Sequence, residues 1–276
     1  MEINNTGNMK KGKLTLIPID GLCNRMRMIN SAYDYLASGR KVKILWCQEE
    51  IINAKTTDLF ILPPEIKVVN IDFSNKFCQL LFKSYHKFIY KTGILIDYYE
   101  IRKKPKEDIE KLFDKKNIIL KSCYEILDRP GPNIFEPTDE IKERVEKVSA
   151  GKRYVSVHIR RTDHSDSKIN SPTEMFEEII RKEIQNGKEI FLATDDKQLK
   201  EELMKKYAPH IFSQEIAEIT RGSVEGMKAS YVDMLCMSKG EKVYGSFNSS
   251  FSKMAADLGG IELEVVAVEG ARREAD

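Results

Sequence analysis

Short runs of aliphatic and β-branched residues alternate with amphipathic segments of helical periodicity along most of the 276-residue chain. Leu14 to Ile19 and Tyr154 to Ile159 have the composition of buried strands, whereas residues 25–37 and 172–186 have the spacing of helices. Strands that alternate with helices form parallel sheets that helices cover on both faces. The pattern therefore predicts an α/β fold.

The alternation is interrupted at Arg129-Pro-Gly-Pro-Asn133, where two prolines flank a glycine. Such a segment breaks regular structure. A chain of this length suits one large domain or two of ordinary size. We therefore predict two α/β domains, residues 1–148 and 149–276, joined by a hinge between residues 129 and 150.

The composition argues against several classes of protein. The formal net charge is only +2, so the overall balance does not indicate a nucleic-acid binder. Five cysteines lie at irregular spacings without a C-x-x-C pair, so neither a disulfide framework nor a zinc site is expected. There is no signal-peptide core and no apolar stretch of roughly 18 to 20 residues. We predict a soluble, cytoplasmic protein, in keeping with its free thiols.

The strongest candidate site follows the strand Tyr154 to Ile159. That strand contains His158 and ends directly in Arg160 and Arg161, with Asp163 close behind. Ligands of open α/β sheets bind beyond the carboxyl ends of the strands, and the planar donors of arginine match phosphate oxygens. The segment indicates an anion site. The alternative is a strand end with solvated arginines and a salt bridge from Asp163.

The strand before Asp195 and Asp196 also ends in polar residues. Paired aspartates are typical of a metal site that bridges a cation to a diphosphate. A simpler interpretation assigns one carboxylate to the N-cap of the next helix and the other to orienting Arg160 or Arg161. We favour the second interpretation and predict no metal.

A third segment combines Asp233 with the serine-rich turn Asn248-Ser249-Ser250. Backbone N–H groups and hydroxyls at a helix N-terminus bind anions. The alternative is an ordinary serine N-cap. The turn has more donors than capping requires, which favours anion binding.

A fourth segment, Ile19 to Arg27, has a glycine turn followed by Asn24 and Arg25. Cations in the first turn of a helix oppose its dipole. We therefore expect Arg25 to reach across a cleft to a phosphate. The alternative is a helix surface that tolerates the arginines.

An aromatic helix over residues 76–90 is expected to pack on the core. The alternatives for it are a membrane surface or an acceptor groove. The lysine-rich span from Lys83 to Lys121 predicts peripheral contact with an anionic membrane.

Together, these segments resemble a known family. His158-x-Arg160-Arg161-Thr-Asp163, then Ala193-Thr-Asp-Asp196, then Asp233 with Gly245 to Ser252, resemble the three motifs shared by α1,2-, α1,6- and protein O-fucosyltransferases. Gly21-x-x-Asn24-Arg25 resembles their N-terminal turn. The likeness is greatest to nodulation-type and core α1,6-fucosyltransferases.

The resemblance implies a GT-B fold, in which two Rossmann-like domains face a cleft. It places the nucleotide sugar on the C-terminal domain and a glycan acceptor on the N-terminal one. It implies inverting transfer of fucose from GDP-fucose, which is a co-substrate, with no cofactor. The residues it assigns to the GDP-sugar are Asn24, Arg25, His158, Arg160, Arg161, Asp163, Asp195, Asp196, Asp233, Asn248, Ser249 and Ser250.

One departure from the family concerns the general base. Core α1,6 enzymes have a glutamate shortly after the arginine pair, whereas here the first glutamate is Glu174. Asp166 is the best-placed carboxylate for deprotonating an acceptor hydroxyl, and Asp163 and His164 are rivals. We assign Arg160 and Asp166 as catalytic. The alternative functions are transfer from another GDP-sugar and a non-catalytic nucleotide- or glycan-binding module.

Overall fold

The computed structural model describes residues 12–73, 75–76, 78–80, 91, 93–162, 165–215 and 222–271. The chain divides into two compact units, one up to Glu136 and the other from Pro137 onward. Each unit contains a five-stranded sheet, and the described strand pairs within these sheets are all parallel. The predicted α/β class is confirmed.

The strands of the first unit are β1 (Gly12–Pro18), β2 (Arg40–Gln48), β3 (Phe60–Ile61), β4 (Lys67–Asp72), β5 (Ile94–Asp97) and β6 (Asn117–Ser122). Its helices are α1 (Leu22–Leu36), α2 (Thr56–Leu59), α3 (Tyr98–Ile101) and α4 (Lys106–Phe113), and a 3-10 turn covers Ile126–Asp128. Its sheet has the strand order β4-β2-β1-β6-β5. Leu14 and Leu16 of β1 and Ile44 of β2 are fully buried in its core.

Strand β7 (Glu136–Pro137) lies at the boundary between the units, and the strands of the second unit are β8 (Tyr154–Ile159), β9 (Glu189–Thr194), β10 (Ile211–Phe212), β11 (Lys242–Ser246) and β12 (Glu262–Val266). The helices of the second unit are α5 (Asp139–Ser149), α6 (Ser165–Asn170), α7 (Thr173–Gln185), α8 (Lys197–Lys206), α9 (Val224–Ser238) and α10 (Ser250–Gly259). Its sheet has the strand order β10-β9-β8-β11-β12. All six residues of the central strand β8 are buried, as expected for a parallel strand covered on both faces.

The boundary between the compact units lies at Glu136, not between residues 148 and 149 as predicted. Helix α5 packs against α9 of the second unit, where Glu140 pairs with Lys228 and Glu146 pairs with Lys239. These contacts place α5 in the second unit.

The predicted long elements match the observed ones to within a few residues. The short helices α2, α3 and α6 were not predicted, and the helix predicted over residues 76–90 lies largely outside the described residues. The five cysteines, all of which lie among the described residues, form no disulfide. Within the described ranges, no helix is both long enough and apolar enough to cross a bilayer.

Candidate functional site

Three polar segments follow three neighbouring strands at the carboxyl edge of the second sheet. Residues 160–162 follow β8, residues 195–196 follow β9, and residues 247–249 follow β11. Because parallel strands present their carboxyl ends at one edge, segments that are distant in sequence meet there. This edge is the candidate site.

The two aspartates after β9 have different structural tasks. Asp195 accepts hydrogen bonds from the backbone N–H groups of Arg161 (2.6 Å) and Thr162 (3.2 Å), and from the Thr162 hydroxyl (2.6 Å). Asp196 caps α8 by accepting from the Leu199 N–H at 3.0 Å. The predicted division into one cap and one orienting carboxylate is confirmed, although Asp195 holds the arginine backbone rather than a guanidinium.

The guanidinium of Arg161 is occupied by groups of its own unit. It donates to the carbonyls of Arg160 (2.9 Å) and Ser171 (2.8 Å) and to the Thr173 hydroxyl (3.0 Å), and it lies 5.8 Å from the Phe176 ring. Burial lowers the pKa of Arg161. These bonds hold the Arg161 guanidinium against the start of α7 and the carbonyl of Arg160, while its place among the GDP-sugar residues stays a prediction.

The backbone of Arg160 is fixed by the neighbouring strand β11. Its N–H donates to the Ser246 hydroxyl at 3.0 Å, and that hydroxyl lies 3.3 Å from the His158 carbonyl. The Arg160 residue is half-buried at the sheet edge. These bonds determine where its side chain leaves the sheet.

The imidazole of His158 lies under the start of α10. Its Nδ1 is 2.8 Å from the Ser252 hydroxyl and 3.4 Å from that of Ser249, and its ring lies 4.9 Å from the Phe251 ring. His158 is only 6% exposed. It therefore links β8 to the serine-rich turn.

Helix α10 begins at the same edge of the sheet. Asn248 has a left-handed φ of 59°, and the Ser249 hydroxyl then caps the helix by accepting from the Ser252 N–H at 3.4 Å. Helix geometry leaves the N–H groups of Ser250 and Phe251 without intrahelical acceptors. A Cβ on Gly245 would lie 2.4 Å from the Ser252 side chain, so glycine allows α10 this close to β11. The turn therefore presents the donors that an anion site requires.

Asp233 is buried on α9, with 7% of its surface exposed. Its Oδ1 accepts from the Gln214 side chain at 2.5 Å, and Lys200 donates to the Gln214 carbonyl at 2.7 Å. Burial raises the pKa of Asp233 to about 7, although Gln214 and Lys200 oppose the shift. Burial also lowers the pKa of Lys200.

Asn24 and Arg25 lie in the first unit, and Arg25 contradicts our expectation. Arg25 is fully buried, with Nε donating to the Asp20 carbonyl (2.7 Å) and NH1 to the Cys47 carbonyl (2.5 Å). Its guanidinium lies 5.0 Å from the Trp46 ring, and burial lowers its pKa. It therefore braces the glycine turn of its own unit and does not project from it. Asn24 donates to the Asp20 carboxylate.

Asp166 lies in the first turn of the short helix α6 and is half-buried. The Ser167 hydroxyl donates to the Phe247 carbonyl at 2.7 Å, which fixes α6 against the end of β11. The Asp166 carboxylate has no hydrogen bond or ion pair with any described residue. Asp163 and His164 lie outside the described residues.

Sequence reasoning missed several residues that shape this edge. Gln214 contacts Asp233 from a different loop, and Ser246 joins β11 to the Arg160 backbone. Gln214 had no sequence signal, whereas Ser246 lay within the Gly245 to Ser252 motif but was assigned no role.

The chain has the fold of known fucosyltransferases. It superposes on NodZ α-1,6-fucosyltransferase co-crystallised with GDP with a TM-score of 0.57 at 17% identity, covering 90% of this chain and 93% of that one. The fucosyltransferase NodZ from Bradyrhizobium gives 0.56 at 17% identity, with 90% and 94% covered. POFUT1 in complex with GDP gives 0.56 at 13% identity, with 94% and 99% covered.

These likenesses confirm the predicted GT-B class with its two Rossmann-like domains. No protein-family model and no curated protein sequence matches the chain. At these identities the likeness concerns the fold, and the function has to be argued from the residues.

Proposed function

We propose that the protein is a glycosyltransferase that moves L-fucose from GDP-fucose to a hydroxyl of a glycan acceptor, with inversion at the anomeric carbon. The supporting observation is the convergence of the three motif segments at the carboxyl edge of the second sheet. The hydrogen bonds of Arg160, Asp195 and His158 join these segments. The fold that the chain shares with GDP-bound fucosyltransferases favours a nucleotide sugar as the ligand.

In this proposal the diphosphate lies between Arg160 and the N-terminus of α10. Cleavage of the sugar–phosphate bond leaves negative charge on GDP. The Arg160 guanidinium and the N–H groups at Ser250 and Phe251 stabilise that charge as it develops. Asp195 and Asp196 already bind backbone N–H groups, so the proposal assigns charge stabilisation to cationic and N–H donors and involves no metal.

The recognition of the nucleoside is assigned to Asp233. An ionised carboxylate at this position accepts hydrogen bonds from N–H donors of a guanine base, while Gln214 holds it in place. Such binding favours the charged form, so GDP and the proton compete for Asp233.

Asp166 is proposed as the general base. It takes the proton of the acceptor hydroxyl while the acceptor oxygen forms its bond to the anomeric carbon and the bond to the GDP oxygen breaks. Its half-buried carboxylate lacks a partner among the described residues, which suits a group that must accept a proton. Cytoplasmic location, peripheral membrane contact and the acceptor position of the first unit remain predictions.

The test is a turnover assay with GDP-fucose and a pool of oligosaccharide acceptors, in which released GDP and fucosylated product are quantified. Transfer or hydrolysis that is lost in Asp166→Asn, with GDP affinity unchanged, is the expected result. GDP-mannose in parallel identifies a different GDP-sugar donor. GDP binding without turnover of either donor would favour a non-catalytic binding module and contradict the proposal.

A further inference from the structure

The first unit contains a cluster of two arginines and two tyrosines that the proposed chemistry does not use. We name Arg27, Tyr99, Arg102 and Tyr124 the Arg–Tyr cluster. Its members follow the carboxyl ends of three adjacent parallel strands in the order β1-β6-β5. Ligands of open α/β sheets bind at this edge. The cluster therefore lies at the ligand-binding edge of the first sheet, whereas our proposal places the nucleotide at the second sheet.

The geometry of the cluster is that of a stacking platform. Tyr99 and Tyr124 stack with ring centroids 6.1 Å apart at an interplanar angle of 29°. The Arg102 guanidinium lies 4.9 Å from the Tyr99 ring and 4.4 Å from the Tyr124 ring, and Arg27 lies 5.5 Å from the Tyr124 ring. Tyr99 is 51% exposed, so a large part of an aromatic ring faces solvent.

The two arginines of the cluster lack carboxylate partners among the described residues. No described residue forms a salt bridge with Arg27 or Arg102, and the buried Nε of Arg102 has no acceptor. Asp97, the last residue of β5, already pairs with Lys121 at 2.8 Å. An arginine that is held against aromatic rings without an anion favours binding an external carboxylate or phosphate.

The loop that carries Tyr124 is also strained. Leu127 and Asp128, which shortly follow it, have left-handed φ angles of 54° and 52°. The Leu127 N–H donates to the Tyr98 hydroxyl at 2.6 Å, which ties this loop to the helix that carries Tyr99. Backbone strain of this kind persists only where surrounding contacts maintain it, and it is concentrated at functional sites.

We infer that the Arg–Tyr cluster binds a saccharide with an anionic substituent, a carboxylate or a phosphate, as the acceptor subsite. A pyranose ring stacks on the exposed Tyr99 face, and its anionic group accepts from Arg102. The inference rests on the proposed function, because a glycosyltransferase needs a site for its saccharide acceptor as well as one for its nucleotide sugar.

The test uses calorimetry on the full chain with saturating GDP. One probe is a glucuronic-acid-containing disaccharide, compared with its methyl ester, which has the same ring and no charge. The other is N-acetylglucosamine 1-phosphate, compared with N-acetylglucosamine. We expect at least one anionic probe to bind about tenfold more tightly than its neutral counterpart.

Variants then assign the preference to residues. Arg102→Gln should abolish the charge preference, and Tyr99→Leu should weaken the charged and neutral forms alike. Arg129→Gln, which removes an exposed arginine 5.0 Å from the Tyr35 ring outside the cluster, is the matched control and should change neither.

The inference is overturned if neither anionic probe binds, or if Arg102→Gln keeps the preference. It is also overturned if inorganic phosphate displaces the probes as well as they displace each other, since no sugar ring would then be needed. Titration of GDP into the same proteins separates the two claims. GDP binding without saccharide binding contradicts the cluster alone, whereas failure to bind GDP contradicts the proposed function.

Discussion

Replacing Asp233 with asparagine should remove a pH dependence of stability that the buried carboxyl imposes. Burial raises its pKa to about 7 in the folded protein, whereas an unfolded chain has a value of about 3.9. At pH values between these two pKa values, the Asp233 carboxyl is therefore protonated in the folded state and ionised in the unfolded state. The contribution of Asp233 to the free energy of unfolding is fully present below about pH 4 and is lost as the pH rises through about 7.

The expected magnitude follows from these two values. Between pH 5 and pH 8, the wild type should lose about 2.5 kcal/mol from this group alone. Asp233→Asn should lack that loss, since the amide oxygen can still accept from Gln214 and does not titrate. The measured quantity is the difference in pH dependence between the two proteins, because other groups titrate equally in both.

The assay is urea unfolding at pH 5 and pH 8, with circular dichroism as the readout. The single tryptophan, Trp46, is buried in the first unit, so its fluorescence monitors that unit as an internal reference. Asp257→Asn, which changes an exposed carboxylate paired with Lys253, is the control. Equal pH dependence in wild type and Asp233→Asn would refute the assignment of a raised pKa to this group.

Four further substitutions test the packing and the site. Arg25→Met should destabilise the first unit by about 2–3 kcal/mol, because it leaves the buried Cys47 carbonyl without a donor, and urea melts by tryptophan fluorescence measure this loss. Asp196→Ala should cost about 1 kcal/mol of stability with GDP affinity unchanged. Asp195→Ala should instead weaken GDP binding about tenfold, because the turn that follows Arg160 loses the carboxylate to which its backbone N–H groups donate. Equal GDP affinities of these two variants, measured by calorimetry, would contradict this difference. Gly245→Ala should destabilise the second unit by about 1–3 kcal/mol, because the added methyl meets a serine side chain; an unchanged thermal midpoint would contradict it.

The fold was predictable because buried parallel strands and their covering helices have distinct sequence periods. The strand Tyr154–Ile159 is buried at every position, and its alternation of Val and Ile with Ser and His after Tyr154 predicted both of its ends. The N-cap at Asp196 was likewise a local signal, since a carboxylate directly before a helix accepts from that helix. The short helices were missed because four to six residues contain too little periodicity.

The errors in the site arose where partners are distant in sequence. Arg25 opposes the dipole of its helix, which suggested an external phosphate. Its guanidinium instead donates to the carbonyl of Cys47 on the neighbouring strand, a contact that only the sheet topology creates. Similarly, the hydrogen bonds of Arg161 to Ser171 and Thr173 depend on where α7 begins, and no local pattern indicates them.

The most direct test of the central claim is calorimetric titration of GDP into the wild type, Arg160→Ala and the control Arg181→Ala, whose arginine pairs with Glu177 away from the site. Loss of charge-assisted hydrogen bonds to a diphosphate should weaken GDP binding about 10- to 100-fold in Arg160→Ala and leave Arg181→Ala unchanged. Equal affinity in Arg160→Ala and wild type, with both proteins folded by circular dichroism, would contradict a diphosphate site at the carboxyl edge of the second sheet.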